Sequence, residues 1–121
     1  ELLPVSHRVS GMARGFVPMF HTRGEGEAAQ ANVRQLAVGK FREHMERIQS
    51  MIAHASPWLL GDKLSFADFY ALTFLRWGGF AAIDPASLPA YKAYVERVAA
   101  QVPVAAAMAR EGIKLDTYKA A

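Results

Sequence analysis

Residues 59–77 read LLGDKLSFADFYALTFLRW, and no other stretch constrains the fold as strongly. From Phe66 to Phe80 apolar side chains fall on every side of a 3.6-residue period, with Arg76 the lone cation. That pattern predicts a helix buried all round, the centre of a helical packing. Such a helix needs partners for its first four N–H groups, because each buried orphan costs ~1–3 kcal/mol. Ser65 and Asp68 stand where those partners are required. A serine at the cap accepts from the N–H of Asp68, and the carboxylate reaches back to the N–H of Ser65. Asp is one methylene shorter than the usual Glu or Gln, so the return bond is expected to be weaker. Its charge still suits the positive end of the helix dipole. Leu64 and Phe69 occupy the positions of a hydrophobic staple across the cap. A nucleophilic role for Ser65 is disfavoured, since the motif holds no base and nothing resembles a G-x-S-x-G elbow.

The rest of the chain is helical in pattern too, with no convincing strand alternation. Val5, Val9, Met12, Phe16 and Met19 share one face of a helix over residues 2–20, which Pro18 ends or kinks. The polar, glycine-containing segment 21–28 reads as a flexible connection. A long helix follows from Ala28 to Ala55, with Val33, Leu36, Ala37, Phe41, Met45, Ile48 and Ile52 as its buried stripe and Glu43–Arg47 as an i,i+4 pair. Gly39 in its interior costs about 1 kcal/mol relative to Ala, so close packing against another helix is expected there. Residues 56–63 form an apolar loop that folds back on the core. Gly78 and Gly79 are expected to weaken the end of the central helix. After a turn at 84–89, Tyr91, Tyr94, Val95 and Val98 give a fourth stripe running to Gln101, and Pro103 opens a short fifth helix that Gly112 caps. The tail from Lys114 is expected to be loose. The fold class is therefore all-α: one domain over residues 1–121, a bundle of about five helices.

Composition narrows the functional classes. With 121 residues and 52% hydrophobic content the chain can bury a core unaided. It has no cysteine, which excludes a disulfide framework, thiolate metal ligation and a cysteine nucleophile on this chain. The net charge of +3 comes from scattered basic residues with acidic ones between them. No clustered basic patch supports nucleic-acid binding. No stretch approaches the ~18 uncharged apolar residues of a membrane span, and no secretory leader is visible, so a cytoplasmic location is expected. Histidines 7, 21, 44 and 54 lack metal-ligand spacing. The chain opens on Glu1 rather than Met and reads as a fragment of something longer.

Two segments carry a resemblance. W-L-L-G-D-K-L-S-F-A-D-F-Y followed by L-R-W is similar to the helical C-terminal domain of glutathione transferases, and R-G-F-V-P-M-F at 14–20 is similar to a stretch of the bacterial beta class. The likeness covers about residues 1–114. It implies a glutathione-transferase C-terminal-like bundle, a thioredoxin-like N-terminal domain that this chain lacks, and a homodimer. It also implies glutathione as co-substrate rather than a bound cofactor, with a hydrophobic electrophile as second substrate. In beta-class relatives the positions of Ser6, Ser10 and Ala13 approach glutathione, in part across the dimer. Two departures follow. The position of Ser6 usually carries Asn, and that of Ala13 usually carries a His that interacts with the thiol. Either the register differs, or the enzyme works without that His, or activity has drifted. Arg14 matches the basic residue beside it and supplies positive charge near a thiolate, the reactive form. Read without the likeness, Ser6, Ser10 and Arg14 are the solvated side of an amphipathic helix.

Met12, Phe16, Met19 and Phe20 are candidates for the border of the electrophile pocket, Met being adaptable in shape. Trp58, Phe74, Trp77 and Phe80 are either pocket lining or core, with Trp77 the best pocket candidate. Arg76 is expected to pair with a carboxylate or to cap carbonyls. The likeness assigns no catalytic residue and no metal ligand to this half. It leaves two functions open: a transferase half that is inactive alone, and a non-catalytic interaction or ligand-binding module.

Overall fold

The computed structural model describes residues 26–120. The chain divides into two compact units, Glu1–His44 and Met45–Ala121. The expected helix over residues 2–20 lies outside the described residues, as do Ser6, Ser10, Met12, Ala13, Arg14 and Phe16. Among the described residues there are four α-helices and no strand: α1 (Glu27–Ile52), α2 (Phe66–Phe80), α3 (Pro89–Ala99) and α4 (Val102–Glu111), with a 3-10 turn at Pro85–Ser87.

The first unit contributes the start of α1. Ala37 and Phe41 are buried as expected, but Leu36 is 66% exposed. One residue turns a helix by about 100°, so Leu36 sits beside the stripe that Ala37 and Phe41 define rather than on it. Glu43 pairs with Lys40 at 3.0 Å, both exposed, in place of the expected partner Arg47. A Cβ added to Gly39 meets no atom of the described residues within 4 Å.

The second unit has a core of its own. Met45, Ile48 and Ile52 of α1 are buried, as are Ala71, Leu72, Phe74 and Leu75 of α2, Tyr91, Tyr94, Val95 and Val98 of α3, and Val104 of α4. α2 packs on α3, and α3 also meets the 3-10 turn and α4. Pro89 stands at the first position of α3, Asp84 caps the 3-10 turn through Ala86 N–H at 2.8 Å, and Gly112 ends α4 in the left-handed conformation at φ 64°. The loop before α2 closes on itself through paired bonds between Trp58 and Gly61, at 3.0 and 3.2 Å.

Two further expectations fail. The first is that α2 is buried all round. Its face at Ala67, Asp68, Ala71, Phe74, Leu75, Gly78 and Gly79 is buried, whereas Phe66 is 79% exposed, Phe80 58% and Tyr70 44%. Positions 66, 69, 70, 73, 77 and 80 form one helical stripe, and α3 packs on the other side. The second is that the tail is loose. It lies on α2: Arg76 Nε donates to the carbonyl of Lys114 at 2.7 Å, and the Thr117 hydroxyl donates to the carbonyl of Arg76. At Gly79 the tail fills the space that a Cβ would need. Gly79 and Gly78 are therefore points of contact, and α2 continues through both to Phe80.

Candidate functional site

The amino end of α2 is sealed by one carboxylate. Asp68 is fully buried. Its Oδ2 accepts from the Ser65 N–H at 2.8 Å and from the Ser65 hydroxyl at 3.3 Å. Its Oδ1 accepts from the Leu59 N–H at 3.2 Å and from the Tyr94 hydroxyl. Both halves of the reciprocal cap are present, and the Ser65 oxygen also takes the Ala67 N–H at 3.3 Å. The return bond is not weak: the short Asp side chain reaches the cap N–H at full strength because Ser65 is extended (φ −142°, ψ 175°). Burial, and then the bond to Asp68 and its negative charge, hold the Tyr94 phenol well above its ordinary pKa. Burial does the same for Tyr91, whose hydroxyl donates to the Ala71 carbonyl at 2.6 Å. Outside this cluster Arg97 lies over the rings of Trp58 and Tyr94, 4.9 and 5.1 Å from their centroids, and donates to the Pro57 carbonyl.

The opposite face of α2 is apolar and open. Phe66 and Phe69 meet edge to face at 6.1 Å, and Tyr70 stacks on Phe74 at 5.9 Å. Between α2 and α4 runs a groove of about 250 Å³ lined by Phe69, Leu72, Pro103, Val104, Met108 and Ile113, with Thr73 and Glu111 also on its walls. It can hold an apolar group and offers little hydrogen bonding. The structure thus provides an apolar surface on one face of α2 and a polar clamp at its amino end. No group of three or more metal-ligating side chains comes together among the described residues.

Of the residues singled out from the sequence, Ser65 and Asp68 are brought together as a cap. Trp77 is half-buried, edge-on to Phe74 at 5.6 Å, and is not part of the groove wall. Arg76 caps a carbonyl, that of Lys114, and lies 5.9 Å from the Phe80 ring centroid. Tyr94 lies in the buried stripe as expected, and its hydroxyl has a further part in the clamp. The signal is in the stripe itself: a buried tyrosine needs a partner for its hydroxyl. Nothing in the spacing of Leu59 pointed to its amide.

An all-helical domain built around one capped helix is the class that this architecture defines. The sequence profile of the glutathione S-transferase C-terminal domain matches residues 10–101, and the chain belongs to that family. Over 56 residues it is 39% identical to the glutathione S-transferase GST-4.5 of Xanthomonas campestris pv. campestris, a match covering 46% of this chain and 28% of that protein's length. No solved structure matches the chain. No described helix is long and apolar enough to cross a membrane.

Proposed function

We propose that this chain is the helical half of a cytoplasmic, dimeric, bacterial-type glutathione transferase of beta-class character. It supplies the apolar surface for an electrophile and part of the dimer interface, while a thioredoxin-like N-terminal domain holds most of the glutathione. The observation that carries the reading is the family match over residues 10–101. The open aromatic stripe and the apolar groove of α2 agree with it, since a hydrophobic co-substrate needs desolvating walls with few polar groups. The chemistry is attack of the glutathione thiolate on the electrophilic carbon, forming a C–S bond and, with an aryl chloride, expelling chloride, and the helical half acts by holding the second reactant in line. Ser6, Ser10 and Arg14 supply contacts toward glutathione in this reading. Met12, Phe16 and Trp77 supply contacts toward the electrophile.

The test is conjugation of glutathione to a nitro-activated aryl chloride, followed by absorbance. The two-domain protein is expected to turn over and the 121-residue chain alone is not. Ala13, in place of the usual His, favours a second reading as a non-catalytic binding module. A two-domain protein that stays inactive, and gains turnover only on Ala13→His, would select that module.

A further inference from the structure

Residues 114–120 have no helix or ladder of their own. The internal bond that shapes this segment runs from the Tyr118 N–H to Asp116 Oδ1 at 3.0 Å. Its attachment to the fold is concentrated on α2. Two anchoring bonds converge on Arg76, whose Nε donates to the Lys114 carbonyl at 2.7 Å and whose carbonyl accepts from the Thr117 hydroxyl. One turn further along, the space where a Cβ of residue 79 would stand is already filled. Thr117 Oγ1 lies 2.2 Å from that point, the Tyr118 N 2.8 Å and the Thr117 carbonyl carbon 3.0 Å. Two of these three atoms are backbone, which cannot swing aside as the end of a side chain can. The other side of the segment forms a wall of a cavity of about 270 Å³, where Leu115, Asp116 and Tyr118 face Leu75, Pro85 and Lys92.

We propose that residues 114–120 are a detachable strap. Docked, it is keyed into a slot left open by glycine at position 79 and latched to Arg76 at Lys114 and Thr117. Released, it opens the cavity and frees the Arg76 side chain, while the helical core stays folded. Short backbone segments with few buried apolar contacts open locally at far lower free energy than the core they rest on. This inference is independent of the transferase reading.

Limited trypsin digestion of the full 121-residue chain, followed by mass spectrometry, tests it. Lys114 is in the strap segment, and Lys92 in α3 reports on the core. Cleavage that follows brief opening tracks the open population. Gly79→Ala is expected to raise the rate of cutting after Lys114 about tenfold, with cutting after Lys92 and the far-ultraviolet helical signal unchanged. Thr117→Val, which keeps the volume and removes the hydroxyl, is expected to raise it less, in the same direction. Equal Lys114 rates in the parent chain and Thr117→Val overturn the proposal if Gly79→Ala also leaves the rate unchanged or loses its helical signal. Parallel acceleration at Lys114 and Lys92 overturns it as well, since the strap would then not open separately from the core.

Discussion

The two ends of α2 are closed by opposite means. At the amino end, donors from the Ser65 backbone and hydroxyl, Leu59 and Tyr94 converge on the buried carboxylate of Asp68. At the carboxyl end the seal is made by shape and by carbonyl acceptance. Gly78 meets the Met45 side chain, Gly79 meets the tail, and the helix stops in a Schellman arrangement with Ile83 N–H on the Gly78 carbonyl at 2.9 Å and Ala82 N–H on the Gly79 carbonyl at 3.1 Å. A polar seal in the interior is stiff, since losing its centre takes a bond from every partner at once. A seal by fit is graded, since each contact gives way separately. The difference predicts that damage at the amino end is global and damage at the carboxyl end is local.

The largest effect tests the polar end. Asp68→Ala leaves the Ser65 N–H and the Tyr94 hydroxyl without their acceptor and leaves the Leu59 N–H only its 2.9 Å bond to the Tyr94 oxygen, and the expected loss is about 3 kcal/mol or more in urea unfolding. A loss near that of an ordinary surface substitution would show that the end is wetter than it looks. Alkaline pH loads the same cluster. Tyr94 and Tyr91 have raised pKa values in the fold, so the unfolded chain releases their protons first. Their contribution is fully present below the unfolded tyrosine value of about 10 and is lost as pH rises above it, at up to about 1.4 kcal/mol per pH unit for each tyrosine. Tyr94→Phe is expected to flatten the stability–pH curve between about pH 10 and 12, measured against the parent chain to cancel the lysines.

How far the sequence carried this picture follows the same division. The amino end was legible because capping is local chemistry: Ser65 and Asp68 are three residues apart, and the rule that joins them needs nothing distant. Tyr94 belongs to the same seal but lies 26 residues further on, so only the oddity of a phenol in an apolar stripe hinted at it. The carboxyl end misled because its two glycines read as breakers. Their partners are a methionine 33 residues earlier in the chain for Gly78, and a tail with no periodicity for Gly79. Burial on all sides of α2 was inferred from hydrophobicity alone, which fixes what a residue tolerates rather than what covers it. The candidate glutathione contacts on residues 6–14 rest on family likeness and lie outside the described residues.

Ser65→Ala probes the cap without removing its centre. The Ala67 N–H loses its 3.3 Å acceptor, while Asp68 keeps the Ser65, Leu59 and Tyr94 bonds that do not use the hydroxyl. About 1 kcal/mol is expected by urea or thermal unfolding. A cost equal to that of Asp68→Ala would mean that the hydroxyl, and not the carboxylate, organises this end.

The smallest effect has the opposite sign and belongs to the carboxyl end. Ala82 sits at φ 59°, in the left-handed region, directly after the last turn of α2. Helices that stop this way favour glycine there, because a Cβ in that conformation costs roughly 1–2 kcal/mol. The two glycines of this stretch are instead inside the helix, where the close approaches need them. Ala82 is exposed, so removing its methyl forfeits little packing. Glycine gives back roughly 0.5–1 kcal/mol through the freedom of the unfolded chain. Ala82→Gly is therefore expected to raise stability by up to about 1 kcal/mol in urea unfolding. A loss of similar size would mean that the helix does not end on a left-handed residue, and the graded seal described for this end would lose its first contact.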